Sequence, residues 1–184
     1  MRWDELFRDL EAQLEAADAA ELAAEVADRT RSEVGRLRLL DRLRPATGHA
    51  VRLQVRGAGQ VAGRLDHVGA EWVLVDEQGG RQALVPLAAL VSVSGLGQLS
   101  QLPDSQSRVH ARLGLASALR GVARDRMPVT VWLDEGSTLS GTVDRVGADF
   151  LELAEHAPGE PRRRGDVTGV RAVPFAALGA VRSA

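Results

Sequence analysis

The side chains with the most chemistry to offer in this 184-residue chain are its 23 basic residues, its 25 acids and its four His. Every basic residue is Arg, because Lys is absent, as are Cys, Asn, Ile and Tyr. No Schiff-base or P-loop lysine, no Tyr acid or base, no disulfide, no thiolate metal site and no Cys nucleophile can therefore be built. His49, His67, His110 and His156 are not spaced as a helical i,i+4 metal pair. No Gly-x-Ser-x-Gly elbow occurs. Gly57-x-Gly59-x-x-x-Gly63 has the glycines of a phosphate loop but lies between two predicted strands, so it lacks the helix N-terminus such a loop uses. Asp66 with Glu71, and Asp144 with Asp149, could share acid–base work; the same spacing also suits solvated hairpin residues. The expectation is a non-enzyme with no cofactor and no metal.

Arginine is the remaining source of specific chemistry, since its planar fork binds phosphate well. Arg162, Arg163 and Arg164 form a run flanked by Pro161 and Gly165. Arg36, Arg38 and Arg42 crowd one predicted helix end, and Arg120 and Arg124 lie on a second helix. These eight are the candidate nucleic-acid contacts. Against them, residues 46–184 carry 15 Arg and 14 acids, and aromatics make up 3% of the chain, few for a single-strand stacking platform.

The elements that must position these groups begin with a helix. Residues 1–44 contain no Pro and one Gly, and are rich in Ala, Leu, Glu and Arg. Trp3, Phe7, Leu10, Leu14 and Ala17 repeat at 4-3-4-3 spacing, a heptad seam that slips near Asp18–Glu21 and resumes at Leu22 and Val26. Residues 1–28 hold nine acids against Arg2 and Arg8, whereas residues 29–44 hold six Arg against Glu33 and Asp41, the order a helix macrodipole favours. The segment reads as a helical hairpin or coiled-coil arm that pairs with another chain, or as an amphipathic helix packed on its own domain. Trp3, Phe7, Leu10 and Leu14 are its candidate interface.

The remainder of the chain repeats itself. Residues 61–75 match 139–153, with Gly63, Asp66 and Val68-Gly69-Ala70 corresponding to Gly141, Asp144 and Val146-Gly147-Ala148. Val85-Pro86-Leu87-Ala88-Ala89-Leu90 corresponds to Val173-Pro174-Phe175-Ala176-Ala177-Leu178, after a loop about ten residues longer in the second copy. Val51–Val55 corresponds to Val129–Leu133. Each copy reads as a helix followed by five short strands. The first strand alternates apolar and polar, Gly63 and Gly141 mark a bend or close backbone approach, and Pro86 and Pro174 stop the fourth strand. A single helical turn then leads into the last strand. Trp132 stands on a polar strand face where the first copy has Gln54; it is a further candidate contact, or it packs against a helix or the other barrel.

A helix, then a bent five-stranded barrel with a one-turn helix before its last strand, resembles the Sm-like small barrel of Sm, LSm and Hfq proteins. Residues 129–143, with an alternating strand, the turn Asp134-Glu135-Gly136 and the Gly141 bend, are similar to the first Sm motif. The resemblance implies an α+β, mainly β chain with an N-terminal helical arm and two tandem five-stranded small barrels, each preceded by a helix. It also implies edges covered by pairing or by ring formation. The family's RNA-binding Asp-x-x-x-Asn is missing here; Gly147-Ala148-Asp149 stands in its place.

The expected organisation is an arm over 1–44, a first barrel over 45–97, a linker over 98–107, and a helix plus second barrel over 108–184. The charged N-terminus has no signal-peptide core and no apolar run is long enough to span a bilayer, so a cytoplasmic, non-membrane protein is expected. The expected function is non-enzymatic binding or scaffolding, with self-association or a protein partner engaged through the arm and the barrel edges. The alternative is an Sm/Hfq-like RNA-binding regulator that contacts phosphates through its Arg clusters.

Overall fold

The computed structural model describes residues 2–101, 113–160 and 165–183, with the backbone alone at Arg2, Asp4, Glu5, Leu6 and Ala12. It divides into two units, Met1–Arg38 and Leu39–Ala184. The first unit is a single helix, α1 (Arg2–Arg36), rather than a helical hairpin. At 1.5 Å per residue it is about 50 Å long. Its one Gly, Gly35, falls in the last turn, where it interrupts nothing. The exposed ion pairs Arg29–Glu33 and Asp28–Arg31 staple that end of the helix, each worth about 0.2–0.5 kcal/mol.

The second unit begins with a short helix, α2 (Leu39–Leu43), and a 3₁₀ turn (Arg44–Ala46). Five strands follow: β1 (Ala50–Val55), β2 (Gly59–Val68), β3 (Trp72–Glu77), β4 (Gln82–Pro86) and β5 (Leu90–Ser94). After helix α3 (Leu115–Asp125) come β6 (Pro128–Leu133), β7 (Thr138–Val146), β8 (Phe150–Glu155), β9 (Gly169–Pro174) and β10 (Leu178–Ser183). The expected 3₁₀ turns are present at Leu87–Ala89 and Phe175–Ala177, each entered from a Pro in extended conformation. No helix is long and apolar enough to cross a membrane among the described residues.

The two closed five-stranded barrels implied by the Sm-like resemblance are not formed. All ten strands make one open antiparallel sheet, in the order β5-β1-β2-β3-β4-β10-β6-β7-β8-β9. Closure would need β5 to bond β4 and β10 to bond β9. Instead β10 lies antiparallel to β4, with Val181 opposite Leu84 and Arg182 opposite Ala83. An unpaired strand edge is a row of unsatisfied N–H and C=O groups, and here the edge of one half satisfies that of the other. The cores follow the same logic. Ala180 of β10 and the half-buried Trp132 of β6 pack with Leu43, Leu53, Val61 and Val75, whereas Trp72 and Leu84 pack with Leu119, Val131, Leu151 and Leu178.

Interior glycines sit where side chains cannot. A Cβ at Gly63 would lie 2.0 Å from the Asp76 carbonyl oxygen, and one at Gly141 would lie 2.1 Å from that of Ala154. β2 and β7 each carry a bulge just beyond, between Leu65 and His67 and between Val143 and Arg145. A bulge bends and twists its strand, so both long strands curve at matched positions.

Candidate interaction surface

The candidate arginines do not assemble into one visible site. Arg162, Arg163 and Arg164 lie outside the described residues. Arg42 is committed internally: its guanidinium donates to the carbonyls of Gly97 (2.6 Å) and Gln98 (2.9 Å) and to Ser100 Oγ (3.2 Å). Together with the Gln101 N–H donating to the Asp41 carbonyl, it ties the segment after β5 to α2. Arg120 and Arg124 are exposed on α3, whose Leu115 and Leu119 are buried against the sheet. The Arg120 guanidinium donates to the Gly147 carbonyl at 3.4 Å. Arg36 and Arg38 are exposed residues of the first unit.

Asp66 and Glu71 are each engaged by different partners. Asp66 bonds His67 Nδ1 at 2.8 Å and pairs with Arg64 at 3.5 Å. Glu71 accepts from the Leu115 N–H at 3.3 Å, at the start of α3, where a carboxylate is favoured by the exposed amides. Asp149 accepts the Phe175 N–H through its carbonyl. Asp76, at the centre of a polar patch, accepts from the Gln82 amide (2.9 Å) and pairs with Arg64. The Gln82 hydrogen bond first, and Arg64 and His67 after it, hold its carboxyl below the usual carboxylate range. His156 is buried; its Nδ1 donates to the Ala157 carbonyl (3.0 Å), so its Nε2 accepts from the Thr142 hydroxyl (2.8 Å). No group of three or more metal-ligating side chains converges among the described residues. A cleft of roughly 350 Å³ between β1, β2 and the end of β5 is lined mainly by Ala50, Val51, Ala62, Gly63 and Gly95, with Arg52 as its charged group.

Trp132 takes its place at the junction of the two halves rather than on an outer surface. It is half-buried against the first core, and the Arg182 guanidinium lies 5.2 Å from its ring centroid. Arg182 Nε in turn lies 3.0 Å from Glu77 Oε2, and its terminal nitrogen donates to the Gln60 carbonyl at 3.3 Å. Two glycines let the backbones meet. A Cβ at Gly179 would lie 2.5 Å from the Arg56 carbonyl oxygen, and one at Gly57 would lie 1.8 Å from that of Leu133. Sequence reasoning placed Gly57 only in the connection between two strands and passed over Glu77, Arg182 and Gly179. For three of the four the available signal was a departure from the internal match: Gly179 stands where the first copy has Val91, Arg182 where it has Ser94, and Gly57 where the second copy has Glu135, whereas Glu77 matches Glu155 and carries no such signal.

On α1 the candidate interface residues are all exposed: Trp3 (71%), Phe7 (58%), Leu10 (51%) and Leu14 (66%), with Leu22, Val26 and Val34 further along the helix. Singly exposed apolar residues are ordinary, whereas a run of seven on one helix is not. No protein-family model matches the chain, and no curated protein matches it.

Proposed function

We propose that this protein is a non-enzymatic binding or scaffolding protein, built as an internally duplicated ten-stranded sheet that carries a helical self-association or docking arm. The observation behind this reading is the exposed apolar series on α1, from Trp3 to Val34. A helix of this kind gains most of its stability from packing its apolar side chains on something. Its charge sharpens the fit: residues 1–28 carry nine acids and two Arg, which suits a partner surface that is apolar at its centre and basic at its rim. The sheet unit supplies a folded platform. Several of its polar side chains are engaged in ion pairs and in the Arg42 tie.

The test is a photo-crosslinking amino acid at Phe7 of the full chain, in cells that produce it. The reading expects a protein adduct that disappears when Leu10 and Leu14 are changed to Ser. An adduct to RNA, or no adduct at all, overturns it.

A further inference from the structure

We infer that the sheet is self-terminating: its two edges, β5 and β9, unpaired among the described residues, are altered so that they cannot repeat between chains the junction that β4 and β10 make within one. By the internal sequence match, β5 corresponds to β10 and β9 to β4. An unmodified duplicate would therefore add strand to strand, β5 of one chain on β9 of the next, in a head-to-tail contact that grows into a ring or fibre. The changes fall on the side chains that make the internal junction.

On the β5 side, the close approach depends on Gly179, whose Cβ would sit 2.5 Å from a carbonyl oxygen. Its counterpart is Val91, a branched side chain that is 61% exposed on the free edge. In the same docking geometry Val91 would press on the Asp134 carbonyl, the counterpart of Arg56. Gly57, which passes the Leu133 carbonyl from the β4 half, has Glu135 as its counterpart, on the half that carries β9. Arg182, which binds Glu77 across the junction, is replaced by Ser94.

On the β9 side, Ala83 is replaced by Arg171, Leu84 by Ala172 and Leu74 by Glu152. Leu84 and Leu74 contribute to the core across the junction, so the free edge has lost that apolar contribution and gained charge. Charge on an edge strand is a known guard against strand addition. Glu155, the counterpart of Glu77, is also occupied, since the Arg171 guanidinium pairs with it within the same half. The acid that would call for an arginine from the next chain already has one.

The experiment exploits the absence of Cys. Val93→Cys and Ala172→Cys chains, whose positions correspond to the Val181–Leu84 pair, are mixed and oxidised. No mixed disulfide above the level of either chain alone is expected. Adding Val91→Gly to the first chain and Glu135→Gly with Arg171→Ala to the second is expected to raise the mixed disulfide at least tenfold. Arg171→Ala alone, which leaves every glycine position untouched, is expected to raise it less, and circular dichroism checks that each chain is folded. Abundant mixed disulfide between chains with natural edges overturns the inference. So does its absence from folded chains carrying all three changes.

Discussion

Arg182, two residues from the C-terminus, binds Glu77 at 3.0 Å while its guanidinium faces the Trp132 ring. The pair joins β10 to β3 across the junction of the two halves, and both side chains are mostly buried, at 19% and 13% exposure. Removing one member leaves the other charge poorly solvated. Glu77→Gln and Arg182→Met should each lower unfolding free energy by about 2 kcal/mol. The double variant should lose less than the sum, with a coupling of about 1 kcal/mol in a urea-denaturation cycle.

Gly57 and Gly59 occupy the same β1–β2 connection, both with positive φ, at 71° and 67°. Only at Gly57 would a Cβ meet backbone; at Gly59 nothing lies within 4 Å. Gly59→Ala should therefore cost only its conformational strain, about 1 kcal/mol. Gly57→Ala should cost about 3 kcal/mol, because the clash with the Leu133 carbonyl is added to that strain. The difference between the two, read from denaturation midpoints, measures how tightly the halves are held.

Thr142 is fully buried and its hydroxyl satisfies His156 Nε2. Thr142→Val keeps the shape but leaves that nitrogen without a donor, at a cost of about 1–3 kcal/mol. Thr142→Ser keeps the hydroxyl and should retain most of the stability. Equal losses in the two variants would show that packing, not the hydrogen bond, matters at this site.

Asp76 has a depressed carboxyl pKa because Gln82 and Arg64 favour its charged form. Its folded-state value lies below the unfolded one, so the carboxylate's contribution is complete above the ordinary carboxylate range and is lost as pH falls through the folded value. Gln82→Ala should move the Asp76 titration upward in a carbon-detected NMR pH series. Asp76→Asn should flatten the acid limb of the stability profile. An unchanged Asp76 titration in Gln82→Ala would remove the proposed cause.

The local elements were readable because each rests on a local rule. Alternation in Val51, Leu53 and Val55 gives β1, Pro86 and Pro174 end their strands, and the glycines at 63 and 141 mark close approach. The absence of Pro favours a long helix but does not say where it ends, and α1 is one helix to Arg36 rather than a hairpin. The choice of partner for β4 was not readable, because closing on β5 and pairing with β10 satisfy the same backbone groups and leave the same hydrophobic pattern. What separates them is a few contacts between distant residues, at Gly179 and Arg56, at Arg182 and Glu77, and at Ala180 in the first core. Trp132 was legible as one of two readings: it stands on the opposite face of β6 from Val129 and Val131, and of the outer contact and the packing on the other half it takes the second. The Arg candidates also divide on grounds that composition does not carry, since Arg42 faces three acceptors and Arg124 is exposed.

Amide hydrogen exchange along α1 in the full chain tests the account most directly. If α1 is the interaction element, its amides exchange rapidly in dilute protein. They should become protected as concentration rises, or when the partner caught at Phe7 is added, and should stay unprotected in the Leu10→Ser, Leu14→Ser chain. The amides of β1, β3 and β8 should be protected throughout. Protection of α1 in dilute protein that equals that of the sheet and does not change with concentration or with the Ser substitutions would mean that the helix is covered by its own chain, and would contradict the account.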